Sequence, residues 1–270
     1  MRIKDSVVVI TGAGSGIGAG LAHRFAAEGA RAVVVTDRDA AAAERVAGQI
    51  GEQASAAAVD VTSEAAVAAL VEQVLAEHGR IDLFCSNAGV TTGIGLQSGA
   101  QADAAWTLAW DVHVMAHVYA ARAVVPAMIA AGGGYLLNTA SAAGLLTAPG
   151  DAPYAVSKHA AVAFAEWLAV EYAAENIKVS VLCPLGVQTP LLLEPLAEGI
   201  PGAKAVAASG EVIPVARVAD AVVAAVTSES FLVLPHPEVG RFWAAKAADV
   251  NRWLAGTSRL YQRSREQSSG

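Results

Sequence analysis

Residues 7–18 read Val7-Val8-Val9-Ile10-Thr11-Gly12-Ala13-Gly14-Ser15-Gly16-Ile17-Gly18. A short apolar run ends in a threonine, passes through a glycine-rich turn and opens into helix-like sequence. Such a run without alternation suits a strand covered on both faces, as in a parallel sheet. Glycines let the backbone turn tightly and approach a ligand closely. The helix that follows presents free N–H groups and the positive end of its dipole, which suit a pyrophosphate. Gly12, Ser15, Gly16, Ile17 and Gly18 are therefore candidate cofactor contacts. The spacing is Gly-x-x-x-Gly-x-Gly rather than Gly-x-Gly-x-x-Gly. Its place at the first strand-to-helix junction points to a dinucleotide.

Outward from this junction the same alternation continues. Strands are expected at 7–11, 32–36, 56–59, 81–86, 135–139, 178–183 and 231–234, with helices at 17–28, 40–49, 64–77, 103–130, 154–175 and 215–228. Strand–helix alternation sustained over this length implies right-handed crossovers. The expected fold is α/β: a doubly wound, parallel, seven-stranded sheet of Rossmann type, with residues 1–270 as a single domain. Two segments break the pattern. Residues 190–214 read as a loop holding Leu191, Leu192, Leu193, Leu196 and Ile200 among prolines and glycines, and 237–263 reads as one C-terminal helix.

Composition narrows the classes. Hydrophobic residues make up 54% and charged residues 16% of the 270, which excludes disorder. A formal net charge of -7 argues against nucleic acid or an anionic membrane surface as partner. Cys85 and Cys183 sit inside apolar runs, as buried thiols of a reducing compartment do, and no disulfide framework is expected. The apolar run behind the N-terminus is too short for a signal peptide, and no window has the ~18 uninterrupted apolar residues of a spanning helix. A cytoplasmic protein without a metal site is expected.

Asp37 follows the second strand, 19 positions after Gly18. A carboxylate there can accept both hydroxyls of an adenosine ribose and would repel a 2′-phosphate, which favours NAD over NADP. Asp37 could equally cap the next helix, as Asp39 could, and the adjacent Arg38 could hold a phosphate. Asp60 either reaches the adenine edge or caps a turn. Asn87 ends the fourth strand, where ligand-facing loops gather.

Tyr154 and Lys158 lie four apart at the start of a long helix and share a face. A free phenol titrates near ~10, and a nearby ammonium stabilises the phenolate. Ser141 follows the fifth strand, 13 residues before Tyr154, where its hydroxyl can polarise a substrate oxygen.

Taken in order, Thr11 to Gly18, Asp60, Asn87-Ala88-Gly89, Ser141, Tyr154 and Lys158 resemble the short-chain dehydrogenase/reductase family, over about 7 to 190. The resemblance implies that Tyr154 exchanges a proton with the substrate oxygen while the nicotinamide exchanges hydride with the carbon. It also implies that Lys158 lowers the tyrosine pKa and holds the nicotinamide ribose, and that Ser141 orients the substrate. Val61, Asn87, Gly89, Pro184, Val187 and Thr189 become cofactor contacts by the same likeness, Val187 and Thr189 at the carboxamide. His113 stands where the family usually has an asparagine that supports a water in a proton relay. An imidazole there either relays protons near neutral pH or only packs. Leu185 stands where the family has glycine, which puts the local backbone path in question.

The 190–214 segment corresponds to the family's substrate lid. Its leucines argue for an apolar substrate body around one reacting oxygen, a small-molecule hydrophobic secondary alcohol or ketone of alicyclic, aromatic or steroid-like kind, and Lys204 is its only basic residue. Trp243 and Trp253 are expected to pack rather than to meet substrate. The 154–175 helix is apolar on more than one side, which suggests a homodimer or homotetramer. The expected activity is NAD-dependent alcohol dehydrogenation. An NADP-dependent ketoreductase with the same site and a non-catalytic dinucleotide-binding redox sensor are the alternatives.

Overall fold

In the computed structural model, which describes residues 1–266, seven parallel strands form one sheet. They are β1 (Val7–Thr11), β2 (Ala32–Asp37), β3 (Ala54–Ala58), β4 (Leu83–Ser86), β5 (Gly134–Thr139), β6 (Ile177–Leu182) and β7 (Leu232–Val233). Their order is β3-β2-β1-β4-β5-β6-β7, the expected doubly wound arrangement. Chain direction across the sheet reverses between β1 and β4, and the crevice at that switch point is where ligands sit in such folds. Val9 pairs with Val34 on one side and Phe84 on the other, so β1 is central and wholly buried.

Alternate side chains of β1 enter two separate cores. Val8 and Ile10 pack with α1 (Gly16–Ala27), α2 (Ala40–Ile50) and α9 (Val215–Ser228). Val7 and Val9 pack with α3 (Glu64–His78), α5 (Ala116–Ala130) and α6 (Ala152–Glu171). The helices start where short polar side chains meet free N–H groups: Asp39 accepts from Ala42, Ser63 from Ala66 and Asp151 from Tyr154. Ser15 precedes α1 without such a bond, which leaves the first turn of that helix open to a ligand.

The structure refines one reading of the sequence and corrects two. The helix expected over 103–130 runs unbroken from Ala100 to Ala130, with a π-helical turn over Asp111–Met115 between its two α-helical parts, α4 (Ala100–Trp110) and α5. The run Ala100–Ala130 is long and apolar enough by composition to cross a membrane, yet it is a core helix, 56% buried in its apolar window. Residues 190–214 are not a loop: they hold α7 (Pro190–Ala197) and α8 (Pro201–Ser209). Pro190 and Pro201 sit in the first turn of each, where the missing N–H has no intrahelical partner to lose. The C-terminal segment is two helices, α10 (Pro237–Ala248) and α11 (Val250–Glu266), broken at Asp249. The Asp249 carboxylate accepts the Arg252 N–H at 2.9 Å and so starts a new helix instead of extending the old one.

Candidate active site

The glycine turn fits a dinucleotide. Gly12 has φ +63°, and a Cβ there would stand 2.7 Å from the Ala88 Cα. A Cβ on Gly18 would lie 2.3 Å from the Gly12 carbonyl oxygen, so only glycine lets α1 rest this close to the turn. Gly16 has φ +52°, and its missing Cβ would approach the Thr189 methyl at 3.3 Å. The segment after β6 therefore closes over the turn from the far side. Val187 and Thr189 are buried there, and Val187 makes a parallel bridge to Ile213. Ile17 is partly buried against the core that holds α1.

Asp37 ends β2 with one carboxylate oxygen on the Gly14 N–H at 3.0 Å and the other on the Asp39 N–H at 3.1 Å. Asp39, not Asp37, caps α2. Asp60 accepts from the Thr62 N–H and hydroxyl at 2.9 and 2.8 Å, and these bonds hold its carboxyl below the usual range. Its turn-capping reading thus has direct support. Val61 joins a small apolar cluster with Val112 and Ala116. Asn87 donates to the Thr11 and Gly12 carbonyls at 3.0 and 3.3 Å and accepts from the Thr139 hydroxyl at 3.2 Å. It ties the ends of β1, β4 and β5 together beneath the crevice.

Ser141, Tyr154 and Lys158 come together above β5. Lys158 is buried, and its Nζ donates to the Thr139 carbonyl at 3.0 Å, 5.7 Å from the centre of the Tyr154 ring. Gly89 faces this group: a Cβ on it would lie 3.7 Å from the Lys158 Nζ. Burial pushes the Tyr154 phenol above its ordinary pKa, and a hydrogen bond with Ser141 pulls it back. Burial also depresses Lys158, to about 8. In the chain without cofactor, desolvation thus outweighs the ammonium's expected acidifying effect on the phenol.

His113 lies in the π-helical turn and is completely buried. Its Nε2 accepts the Val90 N–H at 3.0 Å, and its ring meets that of Tyr154 edge-on, 5.4 Å between centroids. Both ring nitrogens are engaged, which supports a packing and positioning role over proton relay. His117, one turn further along, is also buried, and neither of its ring nitrogens has a hydrogen-bond partner among the described residues.

Three contributors were not read from the sequence. Asp151 accepts from the Thr92 hydroxyl and N–H, the Gly93 N–H and the Tyr154 N–H, and so joins the loop after β4 to the start of α6. An aspartate two before Pro153 is a legible helix-start signal. Gly144 lets the Ser141 segment lie on α6, since a Cβ there would stand 2.5 Å from the Lys158 carbonyl oxygen. His236 accepts the Leu185 N–H on Nδ1 at 3.1 Å and donates from Nε2 to the Gly186 carbonyl at 3.0 Å. That buried imidazole fixes the path around Leu185, while Pro184 accepts the Ala142 N–H at 2.8 Å.

A cleft of about 1180 Å³ opens over Ser141 and Tyr154. Leu192 and Val206 from α7 and α8, Leu185, Phe242 from α10 and Trp253 from α11 line it. Trp253 therefore faces the cleft, against the expectation that it only packs; Trp243 is 42% exposed.

The short chain dehydrogenase family model matches residues 6–197. The chain belongs to the short-chain dehydrogenase/reductase family. This short-chain dehydrogenase is 34% identical to the 1-deoxy-11-beta-hydroxypentalenate dehydrogenase of Streptomyces avermitilis, over 94% of this chain and 93% of that one. A short-chain dehydrogenase/reductase from Burkholderia phymatum in complex with NAD superposes with a TM-score of 0.84 at 27% identity, covering 93% of this chain and 96% of its own. The L-sorbose reductase of Gluconobacter frateurii, complexed with NADPH and L-sorbose, gives 0.77 at 30%, covering 87% and 97%. Neighbours of this oxidoreductase thus bind either nicotinamide dinucleotide.

Proposed function

We propose that the chain is an NAD-dependent oxidoreductase acting on a bulky, apolar secondary alcohol or the matching ketone. Ser141 and Tyr154 on a largely apolar cleft, with the Lys158 ammonium buried 5.7 Å from the Tyr154 ring centre and a turn only glycine can make, carry this reading. A nicotinamide held there would supply the hydride acceptor for oxidation and the donor for reduction. Tyr154 takes the substrate hydroxyl proton in oxidation and gives it back in reduction. Ser141 donates a hydrogen bond to the substrate oxygen and orients it. Lys158, anchored on Thr139, supplies positive charge below the phenol and a donor for the nicotinamide ribose. With an oxidised nicotinamide in place, Tyr154 would face a second positive charge besides that of Lys158, which would favour its phenolate.

Gly12, Ser15, Gly16, Ile17 and Gly18 would hold the pyrophosphate, and Asp37 the adenosine ribose, with Asp60 and Val61 beside the adenine. Asn87, Gly89, Pro184, Val187 and Thr189 would frame the nicotinamide. NADP is the second reading, favoured by Arg38 next to Asp37 and by the NADPH-bound sorbose reductase. The dehydrogenase relative is named for a hydroxylated substrate, which supports a hydroxyl or the matching ketone as the reacting group. Two buried free thiols, Cys85 and Cys183, fit a reducing, cytoplasmic setting. Exposed Trp110, Trp167 and Val170 fit association into a homodimer or homotetramer.

The test is a panel of alicyclic, aromatic and steroidal secondary alcohols set against polyols and sugar phosphates, each with NAD and NADP. Higher kcat/KM for the apolar set with NAD is expected. Preference for the polyols overturns the substrate class, and preference for NADP overturns the cofactor.

A further inference from the structure

The wall of the cleft built by α11 sets a polar stripe beside the apolar Trp253 and Leu260, away from the reacting group. Arg252, Gly256 and Arg259 line that wall. Their spacing of four and three sets them on one stripe of the helix. Glycine inside a helix costs about 1 kcal/mol relative to alanine, and here its bareness makes room. A Cβ on Gly256 would meet only the Arg259 Nη2, at 4.0 Å, so one guanidinium lies over exposed backbone beside open space. Thr257 adds a hydroxyl on the same wall.

Neither guanidinium has a carboxylate within 4.0 Å among the described residues. Three acids also line the cleft, and each has a place. Asp151 is bound by Thr92, Gly93 and Tyr154. Asp249 caps α11, and Glu198 stands exposed just past the end of α7. Arg presents donors in a planar fork that matches a carboxylate on two bonds.

We propose that this stripe is an anion subsite, and that the substrate carries a carboxylate in addition to its reacting hydroxyl or ketone. The inference rests on the oxidoreductase reading and sharpens it. The reacting carbon sits at the wall formed by α6, the carboxylate at the wall formed by α11, and the apolar body spans the leucines between them. Binding energy gathered at the charged end then orients the reacting end.

The experiment compares a hydroxycyclohexane carboxylate and a hydroxysteroid carboxylate, each with its methyl ester, as substrates with NAD. In the native enzyme the free acids should exceed the esters in kcat/KM by about tenfold or more, mainly through KM. In the Arg252→Gln/Arg259→Gln double variant the acid-to-ester ratio should fall to about one. The Gly256→Leu variant, which fills the niche, should lower the ratio as well, and Arg263→Gln, outside the cleft on the same helix, should keep it. Equal use of acid and ester by the native enzyme, or a ratio that survives the double substitution, overturns the subsite. Turnover of an uncharged apolar alcohol in the same assay keeps that failure separate from failure of the oxidoreductase reading. Calorimetric titration of the acids and esters into the NAD-loaded protein gives the same contrast without turnover.

Discussion

The Nδ1 of His113 lies 2.8 Å from the Ser157 hydroxyl oxygen, wholly inside the protein. Because the Val90 N–H already points at Nε2, the ring proton is on Nδ1 and donates to Ser157. Ser157 in turn donates to the Pro153 carbonyl at 2.7 Å. A neutral imidazole of fixed tautomer thus joins the loop after β4 to the helix that carries Tyr154.

Removing the serine hydroxyl tests that strut. Ser157→Ala leaves a buried N–H unpaired and should lower unfolding stability by about 1–3 kcal/mol. Urea unfolding reads the stability, and kinetics should show kcat falling more than KM rises, since Tyr154 loses its orientation. Unchanged stability and unchanged kcat would refute the coupling.

Burial depresses His113 strongly and takes His117 down to about 3, with the Lys158 charge adding to the effect on both. In the unfolded chain both titrate near ~6.5. Above that pH both states hold neutral rings; below it the unfolded chain gains protons that the native one refuses. Stability is therefore fully present above pH ~6.5 and is lost on acidification, each ring adding up to about 1.4 kcal/mol per pH unit. His117→Leu should flatten the slope between about pH 6 and 4 by one ring's share. An identical slope would show that His117 is not neutral in the fold.

Lys158 predicts the opposite limb. Its folded pKa of about 8 lies below the ordinary lysine value of 10.5, so from pH 8 upward the native state sheds a proton that the unfolded chain keeps. Stability of the cofactor-free protein should rise from about pH 8 to 10 relative to Lys158→Met, by up to about 1.4 kcal/mol per unit. Parallel pH profiles for the two proteins would contradict a desolvated amine.

Gly144 separates chemistry from cofactor binding. A side chain there meets the Lys158 backbone, so Gly144→Val should displace Ser141 from the cleft floor. Turnover should drop by roughly a hundredfold, with stability down by about 1–3 kcal/mol from overpacking. Fluorescence titration with NADH should still show binding. Loss of NADH binding in parallel with turnover would mean that the two halves of the site are not separable here.

Asp37 tests the ribose assignment. Asp37→Ser removes the charge that repels a 2′-phosphate and should raise kcat/KM with NADP relative to NAD by about tenfold or more. An unaltered ratio would place the discrimination elsewhere, with Arg38 the next residue to substitute.

Most of the architecture was legible because it rests on period and punctuation. Buried strands read as short apolar runs, and the glycine turn stood out by its place after the first of them, while Ser141, Tyr154 and Lys158 were drawn together by the resemblance to the family. What stayed hidden depends on contacts distant in sequence. Prolines at 190 and 201 look like breakers until one sees that they start helices. The π-helical turn at Asp111–Met115 leaves no mark in composition, yet it turns His113 toward Val90 and Ser157. His236 is 51 residues from the Leu185 N–H it accepts. Trp253 and the two arginines reach the cleft only because a break at Asp249 redirects the last helix.

That redirected helix lies against α8, so one side of the entrance is a seam between two segments far apart along the chain. A substitution on either side of that seam therefore reshapes the same wall of the cleft.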